Sequence, residues 1–119
     1  MGSGKTGCVF AGQGAQYVGM GKDLHETFPE CRALFEQANN VLNFDITKLC
    51  FEGPEEELVK TENCQPAIFL VGIACFKAYT LSAGADNIAG FAGLSLGEWS
   101  ALHAAKAISF EDCLRALAA

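Results

Sequence analysis

The chain reads as an α/β fold in which short parallel strands are set among many helices. Two short apolar runs, Cys8-Val9-Phe10 and residues 88–92, each end on a glycine-rich turn, the pattern of a strand whose C-terminal end faces a site. The long segment between them carries helical periodicity and helix caps, so the two strands are joined by a helical crossover, the connection that parallel pairing requires. The second turn, Gly93-Leu94-Ser95-Leu96-Gly97, opens into a helix-like stretch over 98–107. These observations predict one incomplete domain across residues 1–119, because two strands are fewer than an independent sheet needs.

Residues 1–7 read as a flexible terminus. Within them Gly2-Ser3-Gly4-Lys5-Thr6 has the look of a phosphate loop, but no strand precedes it and a strand rather than a helix follows. An early polar helix containing His25 stops at Phe28-Pro29. Pro29 is suited to a first helical position, and Cys31, Leu34, Phe35, Ala38 and Leu42 then recur at helical spacing. Asp45 caps a short helix running to Phe51, which Gly53-Pro54 ends, and Glu55-Glu56-Glu57 gives the next helix an acidic first turn that favours its dipole. Residues 63–82 form a buried central helix, whose longest apolar stretch, 66–76, is hydrophobic on every face and far short of the roughly 20 residues a bilayer span needs. Ala83-Gly84 stops it, residues 88–92 form the second strand, and Ser109 caps a last helix with Asp112 three residues on.

Composition narrows the function classes. The chain has 119 residues, is 50% hydrophobic and carries a net charge of −6. With no basic stripe to meet phosphates, nucleic acid is excluded as a partner. Six cysteines are scattered without a Cys-x-x-Cys pair, and no apolar signal core precedes the first strand, so the thiols are expected reduced and the protein cytoplasmic.

The chemistry concentrates at Ser95. A serine at the apex of a strand-to-helix turn sits in a strained backbone position, and Gly93 and Gly97 let neighbouring backbone approach without a Cβ clash. The free N–H groups and positive dipole end of the following helix point at the same place, where a developing oxyanion would be stabilised. That is the arrangement for acyl transfer through a serine nucleophile. The bland alternative is a glycine-rich turn in which Ser95 is an ordinary helix N-cap. The first strand ends on Phe10-Ala11-Gly12-Gln13-Gly14-Ala15-Gln16, whose Gly-Gln-Gly turn leaves backbone amides accessible. In a hydrolase-like site such a loop supplies the second oxyanion N–H, so Gln13 and Leu96 are the candidate donors, against a tight turn with no ligand.

Together these segments resemble the malonyl-CoA:acyl carrier protein transacylase family, which includes the acyltransferase domains of polyketide and fatty acid synthases. The resemblance runs from Val9 through Gly19-Met20-Gly21 and Thr61-Glu62-Asn63-Cys64-Gln65-Pro66-Ala67 to the block from Gly93 to Leu102. It implies the N-terminal portion of an α/β-hydrolase-like subdomain, with the family's ferredoxin-like subdomain absent. It also implies Ser95 as the acyl-accepting nucleophile, Gln13 and Leu96 as backbone oxyanion donors, and Gly93 and Gly97 as the elbow. The implied reaction is S-malonyl transfer for fatty acid biosynthesis, with malonyl-CoA and acyl carrier protein as substrates, no metal and no other cofactor, in a monomer. The acidic net charge suits an acidic carrier protein poorly, so basic docking residues are expected outside this segment.

The chain also departs from the family pattern. Many members have a histidine before the nucleophile, where this chain has Leu94. The family's catalytic histidine falls beyond Ala119, and so does the arginine that clamps the malonyl carboxylate. His103 follows Ser95 on the same helix by on the order of 12 Å at about 1.5 Å per residue, out of reach as a base. His25 reads as a solvated or helix-terminal histidine, and Arg115 as a surface residue one turn too early for the clamp. The 119 residues are therefore expected to be a truncated and inactive acyltransferase. A polyketide synthase-type acyltransferase, a serine hydrolase of the α/β type, and a non-catalytic remnant acting as a binding protein remain alternatives.

Overall fold

The computed structural model describes residues 5–84, 86–93 and 95–118. Strand β1 (Thr6–Phe10) and strand β2 (Ile88–Gly93) pair in parallel. The crossover between them consists of α1 (Lys22–Thr27), α2 (Pro29–Leu42), α3 (Ile46–Glu52), the single turn α4 (Glu55–Leu58) and α5 (Thr61–Ala83). Helices α6 (Leu96–Ala104) and α7 (Phe110–Ala118) follow β2. Cys8 pairs with Phe91, Val9 with Ala92 and Phe10 with Gly93, so both strands end side by side.

β1 starts earlier than its apolar run. Thr6 donates its N–H to the Asn87 carbonyl at 2.7 Å and pairs with Ile88, and Gly7 pairs with Gly90 across a local register irregularity. Thr6 and Gly7 therefore belong to the sheet rather than to a flexible terminus, because a partner distant in sequence supplies their bonds. Residues 1–4 lie outside the described residues.

The caps anticipated from sequence form as hydrogen bonds. Asp45 Oδ1 accepts from the Lys48 N–H at 2.9 Å and starts α3, and Ser109 Oγ accepts from the Asp112 N–H at 3.1 Å at the start of α7. Asn43, at φ 61°, closes α2, and Gly84, at φ 78°, ends α5 with its N–H on the Thr80 carbonyl. α6 begins two residues earlier and ends three residues earlier than its sequence pattern. At its end Lys106 takes φ 67°, and the Ala107 N–H returns to the Leu102 carbonyl at 2.9 Å, a closure that stops the helix.

α5 organises the core. At 23 residues it is longer than the apolar run within it, and by length and composition alone it could cross a bilayer, a correction to the sequence estimate. Its side chains are instead core: Cys64, Ala67, Ile68, Phe69, Leu70, Ile73 and Ala74 are buried, and the helix touches α1, α2, α3, α4, α6 and α7. Phe10 and Phe91 of the two strands meet Phe76 of α5 with ring centroids 5.5–6.5 Å apart, which fixes the sheet to the helix. His25 stands in the last turn of α1, the helix-terminal place expected as one of two alternatives, but it is not fully solvated. Because α1 folds back on α2 and α3, its ring is half-buried with its edge on Phe35 and Phe51, at 5.5 and 5.2 Å.

The opposite side of β1 carries no partner strand among the described residues. Val9 is 81% exposed there, beside a groove of about 400 Å³ lined by Cys8, Ala11, Cys75, Phe76 and Tyr79.

All six cysteines are free thiols, and Cys31, Cys50, Cys64 and Cys113 are buried. Burial alone pushes the Cys50 thiol from its ordinary 9.0 up to about 12, and burial with the nearby Asp112 carboxylate pushes Cys113 up to about 11. An unfolded chain releases the Cys50 proton near 9, whereas the folded chain keeps it to about 12. This contribution to stability is whole below pH 9 and falls through that window by up to about 1.4 kcal/mol per pH unit. Thermal midpoints measured from pH 8 to 11 are expected to fall, and to fall less steeply in Cys50→Ala; equal slopes would contradict the burial of this thiol.

Candidate active site

Ser95 stands between the last residue of β2, Gly93, and the first residue of α6, Leu96, with Leu94 outside the described residues. Its backbone is at φ 55°, ψ −113°, a conformation that costs a non-glycine residue about 1–3 kcal/mol and is found where function requires it. The residue is exposed, and its side chain makes no capping bond to α6, so the ordinary N-cap alternative fails. The turn is closed through the backbone, by the Glu98 N–H on the Ser95 carbonyl at 2.9 Å.

Both elbow glycines are required by space. A Cβ on Gly93 would overlap the carbonyl of Gly97 and come within 2.7 Å of the Glu98 nitrogen. A Cβ on Gly97 would overlap the carbonyl oxygen of Phe10, the last residue of β1. The first turn of α6 thus lies against the end of the neighbouring strand with no side chain between them. Leu96 is 4% exposed, its side chain committed to the core. What it can offer a ligand is its backbone N–H, one of the first four in α6 that no helical carbonyl reaches.

The Gly12-Gln13-Gly14 turn occupies the same end of the sheet, directly past Phe10, whose register partner is Gly93. The Ala15 N–H returns to the Gly12 carbonyl at 3.3 Å, and the Gly14 N–H donates to Gln16 Oε1 at 2.8 Å. Gly14 takes φ 107°, a region open to glycine. The exposed Gln13 side chain reaches toward the start of α5, where Nε2 lies 3.5 Å from Thr61 Oγ1. The far end of the loop is anchored by the Gly19 N–H on the Cys50 carbonyl at 2.7 Å and by the buried Met20. Sequence reasoning named Gln13, Leu96, Ser95, Gly93 and Gly97 but gave Gln16 and Thr61 no role, although both lie in motifs it singled out.

Both histidines have their own partners elsewhere in the packing. His103 Nδ1 is 2.9 Å from the Ile108 carbonyl, which can only accept, so that nitrogen carries the proton, and the ring lies against Phe69 and Phe110. His25 belongs to the Phe35 and Phe51 cluster. Arg115 is an exposed residue of α7, 3.7 Å from Glu111 and 3.6 Å from Asp112. Among the described residues no group of three or more His, Cys, Asp or Glu side chains could hold a metal ion.

Residues 8–119 match the family model described as the acyl transferase domain. Over 110 residues the chain is 43% identical to the malonyl CoA-acyl carrier protein transacylase of Bacillus subtilis strain 168, a match covering 92% of this chain and 34% of that protein. Over 113 residues it is 42% identical to the mitochondrial malonyl-CoA-acyl carrier protein transacylase of Mus musculus, covering 93% of this chain and 29% of that protein. The fold superposes on the crystal structure of malonyl CoA-acyl carrier protein transacylase from Clostridium perfringens with a TM-score of 0.89 at 44% identity, covering 96% of this chain and 35% of that one. The chain spans about a third of the length of these three relatives.

Two substitutions test the elbow by thermal or denaturant unfolding. Ser95→Gly removes the strained φ and is expected to raise stability by roughly 1 kcal/mol. Gly97→Ala forces a Cβ onto the Phe10 carbonyl and is expected to lower stability by about 1–3 kcal/mol or more. A destabilised Ser95→Gly, or an unchanged Gly97→Ala, would contradict this geometry.

Proposed function

The chain belongs to the acyl transferase domain family, and from that premise we propose that it serves malonyl-CoA:acyl carrier protein S-malonyl transfer in fatty acid biosynthesis, through an acyl-enzyme on Ser95. One observation carries the reading: Ser95 is held at positive φ between β2 and α6, exposed and not spent on capping. The sequence similarity to malonyl CoA-acyl carrier protein transacylases supports the choice of acyl donor and acceptor.

In this mechanism the Ser95 oxygen attacks the thioester carbonyl of malonyl-CoA. The oxyanion that develops is received by the backbone N–H groups of Gln13 and Leu96, which act on charge present in the transition state and only weakly on the neutral carbonyl. The C–S bond then breaks, coenzyme A leaves as its thiol, and malonate remains esterified to Ser95. The pantetheine thiol of the carrier protein attacks this ester, and the Ser95 oxygen is released. Each step needs a proton acceptor and donor near Ser95. Malonyl-CoA is a substrate, and the reading requires no further cofactor and no oligomer. The mouse relative is mitochondrial, so the cytoplasmic expectation does not follow from family membership.

Radiolabelled malonyl-CoA given to the full-length gene product is expected to label the peptide containing Ser95, and Ser95→Ala is expected to abolish the label. Label retained in Ser95→Ala would place the acyl group elsewhere and defeat the assignment.

Residues 1–119 expressed alone are expected to turn over negligibly. His103 lies eight residues along α6 from Ser95, on the order of 12 Å, and His25 packs on Phe35 and Phe51, so neither is placed as a base, and the loss of general-base assistance costs roughly 10²- to 10⁴-fold. Steady-state transfer to carrier protein at the rate of an intact family enzyme would refute this and would require a base on another side chain.

A further inference from the structure

We propose that Gln16 is a positioning residue for the oxyanion-binding turn, its side-chain carbonyl fixing the peptide unit that follows Gln13. The inference rests on the acyl-transfer reading, because it assigns a role to the loop only if the Gln13 N–H is a donor in that reaction.

A peptide unit is planar and trans, so its C=O and N–H point in opposite directions, and pinning either end aims the other. The unit joining Gly12 to Gln13 contains the N–H assigned to the oxyanion. Its other end, the Gly12 carbonyl, is held by the Ala15 N–H at 3.3 Å. The next unit joins Gln13 to Gly14, and its N–H is held by Gln16 Oε1 at 2.8 Å. The turn has a glycine on each side of Gln13, and Gly14 sits at φ 107°, so side-chain sterics do little to prevent either unit from rotating. Hydrogen bonds must therefore set its shape. The Gln16 bond is at the favoured length for an N–H donor and the Ala15 bond is beyond it, which makes Gln16 the stronger constraint. The Gln13 side-chain contact with Thr61 is 3.5 Å long, beyond the favoured range, and too weak to substitute. Gln16 is itself half-buried, and its bond occupies the Gly14 N–H, which is thereby withdrawn from the oxyanion site.

The test uses the full-length gene product with malonyl-CoA in single-turnover acylation of Ser95, which separates the limiting rate from half-saturation. Gln16→Met keeps the length of the side chain and removes the acceptor, and Gln16→Glu keeps an acceptor oxygen. Because the donor acts on transition-state charge, Gln16→Met is expected to lower the limiting rate about 10- to 100-fold while half-saturation stays within about threefold. Gln16→Glu is expected to stay within about threefold of wild type in both, and both variants to keep the wild-type circular dichroism spectrum. An unchanged rate in Gln16→Met, a loss confined to half-saturation, or a Gln16→Glu as slow as Gln16→Met would overturn the assignment. Unfolding of Gln16→Met would also overturn it, by showing a role in folding instead. If wild type is labelled at Ser95 and Gln16→Met reacts equally fast, only the role of Gln16 falls; if wild-type Ser95 takes no label, the acyl-transfer reading falls and this inference with it.

Discussion

The approach of three backbone segments with no side chains between them sets the rest of this structure. Gly93 lies against the backbone of Gly97, and Gly97 lies against the carbonyl of Phe10. With these contacts in place, the first turn of α6 sits at the junction of both strand ends, with no room for a side chain at Gly93 or Gly97. Ser95, at the start of that turn, takes positive φ. A methyl group at either glycine would push the helix off the sheet and release the turn, so the placement of the serine and the packing of the domain are one constraint.

Strain at Ser95 persists because the surroundings outweigh it. A residue in this conformation costs about 1–3 kcal/mol. Against it, the three contacts among Phe10, Phe76 and Phe91 tie β1, β2 and α5 together, and such aromatic pairs contribute about 0.5–1.5 kcal/mol each beyond the area they bury. Phe69 and Phe110 fix α5 to α7 in the same way, with His103 filling the space between them. The histidine ring is thus part of the packing.

The site is built largely from main chain. Its proposed donors are the N–H groups of Gln13 and Leu96, and the parts that aim them are glycines, turn hydrogen bonds and the start of a helix. Such a site carries no side-chain charge that must be desolvated, and its dipoles are fixed before a ligand arrives, the condition under which they are most effective. The apolar groove beside β1, with Val9 exposed, shows that the sheet edge next to this site is itself a surface suited to apolar cover.

The sequence by itself determined the local elements and the turn that carries Ser95. Pro29, Asp45, Gly84 and Ser109 mark helix ends through bonds and dihedrals made within a few residues, and the Gly-x-Ser-x-Gly spacing around Ser95 encodes a turn whose sterics are local. The tertiary structure alone decided the rest. Thr6 and Gly7 became strand because residues 87–90 lie beside them, and the His25 ring is half-buried because α1 folds onto Phe35 and Phe51. α5 was legible over 63–82 with its stop at Ala83-Gly84, and the fold extends it only to Thr61–Ala83. Gly97 reads in sequence as a place where backbone approaches without a Cβ clash, and only the fold identifies that backbone as the Phe10 carbonyl, far away in the chain. Short-range hydrogen bonding is legible in a string of residues because both partners are near one another in it, whereas packing between distant segments depends on a path the string does not contain.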